Sequence, residues 1–196
     1  MKIGVLALQG DFQEHCEALH KLRVECVEVR LPEHLAGLDG LIIPGGESTT
    51  IGKLAVTFRL FEPLRILAKS RPIWGTCCGL VFMARDVGMD QPVLGVMDMV
   101  VRRNAFGRQV DSFEADLLID GIPGGPFHGI FIRAPVIEEV GPEVDTISRL
   151  ADGRIVAARQ GRLMVTAFHP ELAGDDRVHR YFLDMVAEAS KERGCS

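Results

Sequence analysis

The chain has 196 residues, 47% of them hydrophobic and 25% charged, with a formal net charge of −5. This is an ordinary globular composition with enough chain for a substantial core; the acidic balance argues against a nucleic-acid-binding surface, and no apolar run approaches the ~18 residues of a membrane span. The five cysteines form no C-x-x-C pair and no cluster with histidine at zinc-ligand spacing, so a reducing, cytoplasmic compartment is expected and a disulfide framework or a metal is not.

Residues 2–8 are an apolar run, expected as a strand buried on both faces of a parallel sheet and not as a signal peptide. After the Gln9-Gly10 turn, Asp11 and Glu14 stand at capping-box spacing, and Phe12, Cys16 and Leu19 recur at helical spacing. This reading leaves His15 and His20 on the helix surface. A second strand is expected at 24–30 and a third at 38–43, running into Pro44-Gly45-Gly46-Glu47-Ser48-Thr49-Thr50. A helical region over 51–69 is expected to break near Pro63. A strand at 72–77 turns directly into a helix.

From about 93 the helical periodicity fades. Short β runs are expected at 96–102, 112–119, 127–133, 136–140, 146–150, 154–159 and 162–168, with a hairpin signal at Asp152-Gly153. A last helix is expected from Asp175 or Asp176, with Lys191 to Ser196 frayed. Strands alternating with helices predict an α/β fold with a mainly parallel sheet and extra antiparallel strands, forming one domain over 1–196. Ligands of such sheets bind beyond the carboxyl ends of the strands, where Gln9-Gly10, Gly45-Gly46 and Cys77 should meet.

The stretch Gly75-Thr76-Cys77-Cys78-Gly79 sits at a strand-to-helix turn. It has the pattern of a nucleophile elbow with cysteine in place of serine, and a helix start behind the sulfur would bias it toward thiolate. A buried cysteine beside packing glycines is the plain alternative. His169-Pro170-Glu171 follows the last strand. A carboxylate two residues beyond a histidine can hold the imidazole in one tautomer while its other nitrogen faces a thiol; a loop with a solvated acid is the alternative. The N–H groups of Gly45-Gly46 and of Cys78 are candidates for an oxyanion hole. Glu47-Ser48-Thr49-Thr50 reads equally as a helix cap. The G-x-x-x-x-G-K-[ST] phosphate loop is absent, and no cofactor is expected.

These motifs, with Gly4-Val5-Leu6-Ala7-Leu8-Gln9-Gly10-Asp11-Phe12, Arg103-Asn104-Ala105-Phe106-Gly107-Arg108-Gln109 and Phe131-Ile132-Arg133-Ala134-Pro135, resemble the class I, triad-type glutamine amidotransferases nearly end to end. Within that class the chain is similar to the glutaminase subunits of pyridoxal 5′-phosphate synthases. The resemblance implies a flavodoxin-like three-layer sandwich and hydrolysis of L-glutamine through Cys77, His169 and Glu171 by way of a glutamyl thioester. It implies glutamine binding by Gly46, Glu47, Ser48, Arg103, Ile132 and Arg133, and an oxyanion hole at Gly46 and Cys78. It also implies a partner, a (β/α)₈-barrel synthase subunit that receives the ammonia, with Gln9-Gly10 near the oxyanion hole and the docking face. Neither nucleic acid nor membrane enters this reading. Cys78 departs from the alanine usual after the nucleophile. The glutaminase subunit of imidazole glycerol phosphate synthase is an alternative that Gly45-Gly46-Glu47-Ser48-Thr49-Thr50 argues against. A catalytically silent flavodoxin-like module is another, which the intact Cys, His and Glu set argues against.

Overall fold

The computed structural model describes residues 1–102 and 112–194. In chain order the elements are β1 (Lys2–Leu6), α1 (Phe12–Lys21), β2 (Glu25–Val29), β3 (Gly40–Ile43), α2 (Ser48–Thr57), α3 (Phe61–Ala68), β4 (Ile73–Thr76) and α4 (Cys78–Met83). Then come β5 (Ala84–Asp86), β6 (Met97–Arg102), β7 (Ser112–Leu117), β8 (Phe127–Ile132), β9 (Val136–Val140), β10 (Asp145–Arg149), β11 (Ile155–Gln160), β12 (Leu163–Thr166) and α5 (Arg177–Gly194).

The main sheet has the order β2-β1-β3-β4-β12-β11-β9-β6-β5, with β10 paired to β11. From β2 to β12 every pairing is parallel. Beyond β12 the sheet turns antiparallel through β11, β9 and β6. The expected α/β fold with added antiparallel strands is therefore the observed one. Two details differ. β7 and β8 form their own two-stranded ribbon instead of joining the main sheet. The helix expected after Cys77 ends at Met83, and Ala84–Asp86 form the short strand β5, which pairs in parallel with β6.

Strand β4 shows why there are two helix layers. Successive side chains of a strand point to opposite faces. Trp74 packs against His15 of α1 and against His179 and Phe182 of α5. Gly75 faces the other way, where an added Cβ would come within 2.8 Å of the Met83 sulfur in α4. Helix α5 lies on the sheet because Val178, Phe182, Met185 and Val186 recur on one face and are buried. Burying each stabilises the fold by roughly 1.5–3 kcal/mol. This helix runs on to Gly194, through part of the tail expected to fray. Between α2 and α3 the helical run breaks at Phe58 to Leu60, where Arg59 takes φ 57°. Pro63 falls inside the first turn of α3, where a missing N–H is tolerated.

Candidate active site

Because β1, β3, β4 and β12 are parallel neighbours, their carboxyl ends open on one edge. Gln9, Gly45, Cys77 and His169 all leave the sheet there, which is where open α/β sheets bind ligands. Cys77 has φ 47° and ψ −103°. A side chain seldom adopts such a backbone, at a cost of order 1–3 kcal/mol. Two features hold it. The Cys77 N–H donates to the Thr166 carbonyl of β12 at 2.8 Å. The next turn is wedged against β3: a Cβ on Gly79 would lie 2.0 Å from the Ile43 carbonyl oxygen. The sharp turn predicted from the glycine spacing is thus present, and it is strained.

His169 stands at the end of β12, with its N–H on the Ile130 carbonyl of β8 at 2.8 Å. Its Nδ1 is 2.7 Å from Glu171 Oε1 and 3.5 Å from Asp11 Oδ2. The Glu171 side chain is wholly buried. Burial works against the imidazolium, but the hydrogen bond and charge of Glu171, with Asp11 and Cys78 adding, raise the His169 pKa above its ordinary value. With Nδ1 committed to Glu171, Nε2 is the ring nitrogen left for another partner.

The thiol itself differs from expectation. The Cys78 side chain beside it, then burial, then the Glu171 charge hold the Cys77 pKa well above the ordinary thiol range, although the Cys78 N–H pulls the other way. A helix start favours an anion, but behind Cys77 the raising influences prevail over the short helix α4. Cys77 therefore rests as a thiol that needs a base.

The predicted binding residues fall on two loops at this edge. Gly46 is exposed, and its carbonyl accepts from Cys78 Sγ at 2.6 Å. The Glu47 N–H donates to Gln9 Oε1 at 2.6 Å. The Glu47 carboxylate caps α2, accepting from the N–H groups of Thr49 and Thr50 and from the Thr50 hydroxyl. Burial would raise its pKa, but those hydrogen bonds prevail and hold it at about 2. Ser48 is buried, with its hydroxyl against the Gln91 side chain. On the opposite loop the Ile132 carbonyl lies 3.9 Å from Cys77 Sγ, and Arg133 follows, exposed, with φ 43°. Arg103 lies outside the described residues.

Two residues at the start of α1, Asp11 just before it and His15 within it, depart from expectation. Asp11 makes no side-chain cap, and its carboxylate turns toward His169 instead. His15 is fully buried behind Glu171, with Nε2 3.4 Å from Glu171 Oε2 and 3.2 Å from Thr76 Oγ1. Its Nδ1 is 3.1 Å from His179 Nε2. A signal for this was present: Phe12, His15, Cys16 and Leu19 together complete the i, i+3, i+4, i+7 pattern of a buried face. Asp11, His169 and Glu171 bring possible ligand atoms within 4.8 Å of one another. Because His169 Nδ1 and Glu171 Oε1 already pair, the trio reads as a charge pair with a third, half-exposed acid.

The sequence profile of the SNO glutamine amidotransferase family matches residues 5–188. The chain is 53% identical to the pyridoxal 5′-phosphate synthase subunit PdxT of Frankia alni, over 98% of each chain. It is 57% identical to that of Moorella thermoacetica, over 95% of this chain and all of the relative. A crystal structure of a glutamine amidotransferase superposes with a TM-score of 0.91 at 50% identity, covering 95% of this chain and all of that one. A chain of PurLQS from Thermotoga maritima superposes at 0.65 with 18% identity, covering 94% of this chain and 99% of that one, and shares the fold. With this edge geometry and a profile that spans nearly its whole length, the chain belongs to the SNO glutamine amidotransferase family.

Proposed function

We propose that the chain is the glutaminase subunit of a pyridoxal 5′-phosphate synthase and hydrolyses L-glutamine to L-glutamate and ammonia. One observation carries the chemistry: a buried carboxylate holds Nδ1 of His169 at 2.7 Å beside a strained cysteine at the end of the neighbouring strand. His169 Nε2 takes the Cys77 proton as the sulfur attacks the side-chain carbonyl carbon of glutamine. The C–N bond breaks, His169 returns the proton to the departing nitrogen, and ammonia leaves. Water, deprotonated by His169, then cleaves the thioester to release glutamate. A thiol with a raised pKa and an imidazole with a raised pKa suit this sequence, because the proton moves only when substrate is in place.

The tetrahedral oxygen needs donors, which we assign to the N–H groups of Gly46 and Cys78. In the free chain the Gly46 carbonyl faces Cys78, and Gln9 holds the Glu47 N–H. That loop must turn before it can stabilise an oxyanion. We assign the turning to docking of a (β/α)₈-barrel synthase subunit, with this chain acting as a single domain in the cytoplasm. Ser48, Glu47, Arg103, Ile132 and Arg133 we assign to the glutamine pocket. The name carried by the relatives, a pyridoxal 5′-phosphate synthase subunit, supports such a partner. Glutamate release, measured with and without the barrel subunit, tests the reading. Release that rises with the partner is expected. No release in either condition would overturn it.

A further inference from the structure

The triad uses one oxygen of Glu171. The other, Oε2, is buried with no hydrogen-bond partner among the described residues, and His15 Nε2 lies 3.4 Å from it. A buried carboxylate oxygen without a donor is costly. Behind His15 stands His179, also buried, whose Nδ1 has no partner among the described residues.

The tautomers follow from that orphan. If His179 carried its proton on Nδ1, a buried N–H would have no acceptor. If the proton is on Nε2, the orphan is a lone pair, and an unpaired acceptor is the commoner, cheaper defect. His179 Nε2–H then donates to His15 Nδ1 across 3.1 Å. His15, neutral because burial lowers its pKa well below the ordinary value, must carry its proton on Nε2. That proton is directed at Thr76 Oγ1, 3.2 Å away, and Glu171 Oε2 lies 3.4 Å from the same nitrogen. The Thr76 hydroxyl, an acceptor as well as a donor, can share it.

We infer that His15 is a positioning residue for the triad: its Nε2–H holds the second oxygen of Glu171, and His179 holds His15 in the tautomer able to do so. For the reaction it serves, this rests on the glutaminase reading. The groups facing Glu171 are His169 after β12, Asp11 and His15 of the α1 segment, Thr76 and Cys77 at the end of β4, and His179 behind His15 on α5. A donor removed from the ionised carboxyl raises its pKa, and the apolar replacement acts in the same direction.

The test is NMR of histidine ¹⁵N and glutamate side-chain ¹³C in the intact chain, for wild type, His15→Leu and His15→Gln, with glutamate release from the complex with the barrel subunit in parallel. Wild-type His15 should be neutral with its proton on Nε2. The Glu171 midpoint should rise by about one unit or more in His15→Leu, equivalent to about tenfold, and stay near wild type in His15→Gln, whose amide keeps a donor. In the complex, kcat should fall about tenfold or more in His15→Leu, the scale of a hydrogen bond to a charged group. KM should hold, and His15→Gln should recover most of the rate. A wild-type proton on Nδ1, or a Glu171 midpoint unmoved in His15→Leu, overturns the inference. Should His15→Leu fail to fold, the wild-type tautomer decides alone. Wild type that releases no glutamate sinks the glutaminase reading, while the titration still decides this one.

Discussion

Glu171 Oε1 lies 2.7 Å from His169 Nδ1, two residues back along the chain, and the proline between them keeps that spacing short. The pair raises the histidine pKa in spite of burial. The acid limb of kcat/KM should therefore lie above the ordinary histidine value near 6.5, with activity lost as pH falls through it. Glu171→Gln removes the carboxylate that favours the imidazolium, so that limb should move to lower pH. The plateau should drop by about 10⁴, as when the acid of a triad is made an amide. A pH–rate profile of both proteins checks this; a limb that stays in place would separate Glu171 from His169.

Two thiols stand side by side at the elbow, and only one has the strained backbone. Cys77→Ala should lower partner-stimulated glutamate release by about 10⁴ to 10⁶, the scale of losing a triad nucleophile. Cys78→Ala should retain most of it. It should also lower the Cys77 pKa, because Cys78 is the largest influence raising it. Iodoacetamide alkylation of Cys77 against pH would show the shift.

Glu47 has two candidate roles that differ in measurable stability. As the cap of α2 it accepts from two backbone N–H groups, and Glu47→Ala should cost about 0.5–2 kcal/mol in urea unfolding. Unchanged stability would leave only a role toward substrate.

Acid should unfold the protein through its buried histidines. His179 is held at about 4 by burial. Its folded pKa lies below the unfolded value, so its contribution is complete above pH ~6.5 and is lost as pH falls toward 4, about 3 kcal/mol in all. His15 acts in the same direction. Between pH 7 and 4, His179→Gln should lose less stability than wild type; equal losses would remove His179 from the account.

At Gly79 an added Cβ would lie 2.0 Å from the backbone of β3, where no side chain can swing aside. Gly79→Ala should destabilise by about 1–3 kcal/mol or more, the cost of overpacking. It should also lower activity, because the strand it pushes leads into Gly45. Thermal unfolding and glutamate release, measured together, check both effects.

The strands, the helix faces and the convergence of Gln9, Gly45 and Cys77 on one edge were legible because they depend on local periodicity and on glycine at turns. The pairing of His169 with Glu171 and the sharp turn at Cys77 were legible from spacing. What escaped depends on partners distant in the chain. His15 read as a surface histidine because its burial is set by Thr76, Glu171 and His179. The spacing of Asp11 and Glu14 suits a cap, but His169 attracts the Asp11 carboxylate instead. The thiolate expected at Cys77 presumed a solvated helix start; the folded elbow buries the sulfur beside a second thiol. β5 is too short to show any period.

The strand that delivers His169 lies between β4 and β11, in the interior of the sheet, although it is among the later segments in sequence. Trp74 of β4 meets Thr166 of β12 across 92 residues. Cys77 therefore leaves the ribosome long before His169. The antiparallel strands β6, β9 and β11 are made before β12, yet it is β12 that pairs with β4 and carries His169 to the Cys77 edge. On the proposed chemistry, reactivity at this edge arrives only with the last strand of the sheet, once that sheet is whole.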